Sequence, residues 1–164
     1  MCAMTRWLDA DEQRTWRAYL AATRGLMDTL DRELQRDAGL PHTYYEILVR
    51  LSEAPQRALR MSELAEACDS SRSRLSHAVA RLESSRWVRR EDCATDRRGQ
   101  VAVLTDAGFA VLEAAAPGHV EAVRRHLFDA LTGEQVDQLR RISEAVVDAL
   151  GTPPVGRAQT ISAS

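Results

Sequence analysis

Eight arginines fall between Ser70 and Leu104, at positions 72, 74, 81, 86, 89, 90, 97 and 98, against four acids, Glu83, Glu91, Asp92 and Asp96. The stretch carries a local charge of +4 in a chain whose formal charge is -2, and the segments on either side each net -3. Arginine offers a planar fork of donors that grips phosphate oxygens and base edges in pairs. Cationic forks gathered in one region of a mildly acidic chain have the electrostatic footprint of a surface that meets a polyanion. Catalysis has no comparable footing. There is no H-E-x-x-H, no glycine-rich phosphate loop and no paired cysteine motif, and His119 and His126 are seven residues apart, two turns rather than one. No catalytic residue, metal ligand or cofactor is therefore assigned, and the chain reads as a non-enzyme.

The elements that hold these arginines follow from periodicity. Leu75, Ala78, Val79 and Leu82 recur at helical spacing, which predicts an amphipathic helix over 71–85. Ser73, His77, Ala80 and Ser84 then lie opposite the apolar stripe, with Arg74 and Arg81 beside them, and Asp69, Ser70 or Ser71 can cap the start. Trp87-Val88 and Val101–Leu104 have the composition of two short strands joined by a charged loop from Asp92 to Gln100. Met61 to Cys68 forms a short helix before the arginine-bearing one, and Ala65 is small enough for close crossing. Helix, turn, helix, strand, arginine-tipped hairpin, strand is the layout of a winged helix-turn-helix.

Around this centre, Asp9 and Glu12 form a capping box that opens a long helix to Gly39, about 40 Å of it, too long to bury its whole stripe on one small domain. Thr43 and Glu46 predict a second capping box, for a helix ended before Pro55. Thr105 can cap a further helix to Leu127, which Pro117 should kink or break near Ala115. Thr132 and Gln135 open a last helix ending at Leu150. The expected class is mainly α with a small β-hairpin wing. An N-terminal arm (1–8) precedes one domain (9–150), in which 9–40 and 106–150 are dimerisation helices and 43–105 the winged helix-turn-helix; 151–164 is a disordered tail. No apolar run approaches a membrane span and no secretory signal is visible, so a cytoplasmic location is expected. The three cysteines, Cys2, Cys68 and Cys93, are odd in number and unclustered, which suggests neither a disulfide framework nor a zinc site.

Three stretches, MSELAEACDSSRSRLSHAVARLE, WVRREDCATDRRGQVAVLTDAG and the closing helix that begins LTGEQ, resemble the MarR family of bacterial transcriptional regulators. The resemblance runs from about Trp7 to Leu150. Its most specific pieces are Asp96-Arg97-Arg98 and Leu104-Thr105-x-x-Gly108. One position departs from the family pattern: a glycine usually ends the recognition helix, and here Arg86 stands in its place. The resemblance implies a homodimer joined through the first and last helices. It also implies that Arg98 reaches the minor groove of double-stranded DNA and that Asp96 holds the arginines of the wing.

On these grounds Ser73, Arg74, His77 and Arg81 are expected in the major groove, where an arginine can donate twice to guanine. Ser71 and Arg72 are expected on phosphates, Arg86 on a phosphate as well, and Arg97 and Arg98 in the minor groove beside Asp96. Two-fold symmetry would make the operator a pseudo-palindrome with half-sites about one helical turn apart, and the regulator a repressor. The family likeness further implies release by a small phenolic or aromatic acid in a cleft between the dimerisation helices and the winged lobe. Trp16, Tyr19, His42, Tyr44 and Tyr45 are its candidate lining. Two other readings stay open from sequence: a redox-responsive regulator using Cys93 or Cys68, and a winged-helix protein-interaction module that binds no DNA.

Overall fold

The computed structural model describes residues 5–93 and 96–151, with the side chains of 96–98 excepted. Helix α1 (Ala10–Ala38) begins with the expected capping box: the Asp9 carboxylate accepts from the N–H groups of Asp11 and Glu12, and Glu12 accepts in return from Asp9 N–H. It ends on Gly39 in the left-handed region at φ 63°. The next helix, α2 (His42–Glu53), starts differently from the sequence expectation. The residue before it is Pro41, and no local side chain caps it. The Asp31 carboxylate of α1 accepts from His42 N–H at 2.8 Å instead. A carboxylate eleven residues away does the work expected of Thr43.

Strand β1 (Ala58–Arg60), helix α3 (Met61–Ala67), helix α4 (Arg72–Ser84) and strands β2 (Val88–Cys93) and β3 (Asp96–Leu104) complete a winged lobe. The strands form an antiparallel sheet in the order β1-β3-β2, with Ala58 opposite Val103 and Val88 opposite Leu104. Two features correct the sequence reading. Strands β2 and β3 extend through most of the expected Asp92–Gln100 loop, because cross-strand pairing holds polar residues that have no strand propensity of their own. Strand β1 has no counterpart among the expected elements; three residues give too short a pattern to read. The residue just before it, Arg57, is tied to helix α5 (Asp106–His126): its guanidinium lies 3.9 Å from the Phe109 ring centroid and 3.2 Å from Asp106 Oδ1.

The core gathers at the centre of this lobe. Leu40, Ile47, Leu48, Leu51, Leu64, Leu75, Val79, Leu82, Val88 and Leu112 have essentially no exposed surface. The α5 helix caps it, starting where Thr105 Oγ1 accepts from Gly108 N–H. The expected break at Pro117 does not occur: α5 is continuous from Asp106 to His126. Pro117 lies on the exposed side, as does Glu113, whose carbonyl loses its helical donor and can turn to water. Ala115, Ala116 and Ala122 meanwhile hold the other face in the interior. Helix α6 (Gly133–Leu150) opens with the expected Thr132/Gln135 capping box, ends at Gly151 and has no buried residue. Residues 1–4 of the arm and 152–164 of the tail lie outside the described residues.

Candidate nucleic-acid interface

The turn between α3 and α4 is built by hydrogen bonds back onto α3. Asp69 N–H donates to Glu66 O at 3.2 Å and Ser70 N–H to Ala65 O at 2.9 Å, with Asp69 at φ 45°. Aspartate enters the left-handed region at modest cost, so α3 ends without glycine. Ser71 then caps α4, its hydroxyl oxygen accepting from Arg74 N–H. The first N–H groups of α4 consequently face outward at a site that also carries Arg72.

Along α4 the sequence-derived face is the exposed one. Leu75, Ala78, Val79 and Leu82 are buried, while Ser71, Arg72, Ser73, Arg74, His77, Ala80, Arg81 and Ser84 are exposed. Arg74, His77, Ala80, Arg81 and Ser84 line a shallow open groove together with Tyr44 of α2. Glu83 is the only acid in α4, and it is engaged elsewhere, 3.2 Å from Arg90 of β2. Among the described residues no acid pairs with Arg72, Arg74 or Arg81, so the outer face of the helix carries uncompensated positive charge.

Arg86 resolves the departure noted above. It sits at φ 62°, its N–H donating to Glu83 O at 2.8 Å, while Trp87 N–H donates to Leu82 O at 3.0 Å. This is the glycine-type helix ending made with an arginine, at a strain of about 1 kcal/mol. The turn is over-determined from the next element. Thr105 Oγ1 lies 2.7 Å from Arg86 O and 3.0 Å from Trp87 O, and a Cβ added at Gly108 would fall 2.1 Å from Trp87 O. The L-T-x-x-G motif thus seats the start of α5 on the end of α4. The Arg86 side chain is exposed and has no acidic partner among the described residues. In the wing, Arg89 pairs with Glu91 at 2.7 Å. The side chains of Asp96, Arg97 and Arg98 lie outside the described residues; their backbone begins β3, with Asp96 opposite Cys93.

The five expected ligand residues are not brought together within one chain. Trp16 and Tyr19 stack at 6.2 Å on the exposed N-terminal half of α1, where they line a groove with Ile142 and Val146 of α6. Tyr44 lies beside the α4 arginines. His42 and Tyr45 join His119, a residue outside the expected lining, with ring centroids 4.6 Å apart for Tyr45–His119 and 5.5 Å for His42–His119. Burial, and then the neighbouring His42, holds His119 below the usual histidine range, and its Nδ1 is buried without a hydrogen-bond partner. The cavity beside His119 measures about 70 Å³, lined also by Glu33, Asp37 and Ala122, well short of a ligand pocket of roughly 300 Å³ or more. Burial pushes the Cys68 thiol up to about 12, with Glu46 and Asp69 adding to the shift, so it is protonated near neutrality and a poor nucleophile. Among the described residues no cluster of side chains could hold a metal ion, and no helix is long and apolar enough to cross a membrane.

Comparison with known proteins agrees with this geometry. A model of the MarR family matches residues 38–99. Sco3205, a MarR family transcriptional regulator from Streptomyces coelicolor whose crystal structure is in complex with DNA, is 56% identical over 94% of this chain and 96% of that one, with a TM-score of 0.86. AbsC, a MarR family transcriptional regulator from the same organism, is 44% identical over 91% of this chain and 100% of that one, with a TM-score of 0.84. No curated protein sequence matches the chain significantly.

Proposed function

The chain belongs to the MarR family of transcriptional regulators, and from that premise we propose that it is a homodimeric repressor that binds a pseudo-palindromic duplex operator. Helix α4 enters the major groove with Ser73, Arg74, His77 and Arg81 toward the base edges. Ser71, Arg72 and Arg86 hold phosphates, and the wing places Arg97 and Arg98, steadied by Asp96, in the adjoining minor groove. The observation that supports this best is the charge of the α4 outer face: Arg72, Arg74 and Arg81 without an acid among the described residues, and Glu83 bound to Arg90 behind them. A protein-interaction module would not benefit from such a face, since desolvating unpaired guanidinium groups against a neutral partner is costly.

Dimerisation is supported by apolar side chains that the chain leaves in water. Trp16 and Tyr19 of α1 are 51% and 54% exposed, and Ile142 and Leu150 of α6 are 61% and 72% exposed. A face of this kind on two terminal helices is closed by a second copy related by a two-fold axis. Release by a small phenolic or aromatic acid would require the junction of α1, α2 and α5 to open beyond its cavity of about 70 Å³, and the unpartnered Nδ1 of His119 beside His42 and Tyr45 is the group that would then meet the ligand.

A band-shift titration on a duplex selected by the wild-type protein from random sequences tests the central reading. Each bidentate arginine–guanine pair is worth about 1 to 3 kcal/mol, and the double substitution Arg74→Ala with Arg81→Ala should weaken binding by that much for every such pair it removes. Wild-type affinity should fall steeply with salt as counterions are displaced. Undiminished affinity in the double variant overturns the assignment of α4.

A further inference from the structure

Side chains alternate along β2, so Val88 and Arg90 share the face turned to α4 while Arg89 and Glu91 share the other. Val88 is buried in the core and Arg90 follows it, its side chain only 21% exposed. The Arg90 guanidinium donates through Nη2 to Ser76 O at 2.8 Å, and its Nε lies 3.2 Å from Glu83 Oε2. The other oxygen of that carboxylate, Oε1, accepts from Arg90 N–H at 3.1 Å. Ser76 and Glu83 are seven residues apart, two turns on one face of α4 and about 10 Å along its axis. A single strand residue therefore grips the recognition helix at its middle and near its end. The Ser76 carbonyl can accept a second bond beside its helical one, because each carbonyl oxygen has two lone pairs. Among the described residues the side chain of Arg89, on the opposite face, bonds Glu91 of the same strand and nothing in α4.

The position of this clasp gives it consequence. Arg90 stands opposite Ala102 of β3, so fixing Arg90 fixes both strands of the hairpin relative to α4. We infer that Arg90 is a positioning residue for DNA binding. Through Ser76 and Glu83 it holds the wing at a set distance and angle from the recognition helix, so that the two meet neighbouring grooves as one rigid body. This rests on the reading that the wing touches DNA. The gain is preorganisation: orienting the hairpin costs entropy at folding rather than at binding.

A double-mutant cycle on duplex affinity tests it, using the selected duplex, full-length protein and the melting temperature of each variant as a check on folding. Arg90→Gln should weaken binding about 10-fold in the wild-type background. In a chain already carrying Arg97→Ala and Arg98→Ala it should change affinity by less than about 2-fold, because the wing then has no grip on the duplex whose placement matters. The melting temperature should shift equally in both backgrounds. Glu83→Gln, which keeps an acceptor for Arg90 N–H and removes the charge, should show the same wing-dependence with a smaller loss and serves if Arg90→Gln does not fold. Equal losses with and without the wing arginines overturn the inference and leave the proposed function standing. Full affinity in the Arg97→Ala, Arg98→Ala chain itself overturns the wing reading and this inference together.

Discussion

The winged lobe and the terminal helices are built from similar amounts of leucine and valine but use them in opposite ways. In the lobe Ile47, Leu48, Leu51, Leu64, Leu75 and Leu82 are sealed from water by three helices and a sheet. In α6 no residue is buried, and the N-terminal half of α1 leaves Trp16 and Tyr19 half exposed. An apolar stripe is therefore only a demand for a partner, and where the partner comes from is a separate matter. The lobe satisfies its stripes within the chain; the long helices carry theirs outward, where a second chain can meet them.

The difference predicts what substitutions in each region should do. Leu48→Ala, a cavity at the centre of the lobe, should cost about 2 to 5 kcal/mol and lower the thermal midpoint sharply at any protein concentration. Ile142→Glu in α6 should leave the lobe folded by circular dichroism and yet yield a single subunit by light scattering, with loss of most duplex affinity. A stable dimer in that variant would break the contrast between the regions. Arg86→Gly removes left-handed strain at the end of α4, so it should raise stability by about 1 kcal/mol in denaturant titrations. If Arg86 holds a phosphate, the same variant binds DNA more weakly while being more stable. The smallest effect is expected at the border of the regions. His119, faced by His42 and Tyr45 of α2 and near Glu33 and Asp37 of α1, is held below its ordinary pKa of 6.5. The unfolded chain binds that proton more readily, so its contribution is present above about pH 6.5 and is lost as pH falls through the depressed value. His119→Gln should flatten the acid side of the stability profile and leave it unchanged above neutrality.

What could be read along the chain was what lies within a turn or two of itself. The α1 and α6 capping boxes, a cap for α4 at Asp69, Ser70 or Ser71, and the buried and exposed faces of α4 all emerge from neighbours three to seven residues apart. The Thr43/Glu46 box failed because Asp31, folded back from α1, reaches the start of α2 first. Pro117 predicts a kink or a break near Ala115, and the break is absent from a helix whose opposite side packs three alanines into the interior. Residue type marks Trp16, Tyr19, His42, Tyr44 and Tyr45 as a ligand lining, and type does not say that Tyr44 lies beside Arg74 while Tyr45 turns to His119. The clasp of Arg90 on Ser76 and Glu83 had no pattern to announce it.

The sequence by itself determined the order of the helices and of the β2–β3 hairpin, the concentration of positive charge on one helix and that hairpin, and the starts of α1, α5 and α6, because caps and periodicities are short-range interactions of the backbone with its own side chains. The tertiary structure decided which arginines are left uncompensated, how a non-glycine residue is kept at φ 62°, and which apolar faces stay open. Those outcomes depend on groups far apart in the chain competing for the same acid, carbonyl or neighbouring surface, and only the packed arrangement says which of them wins.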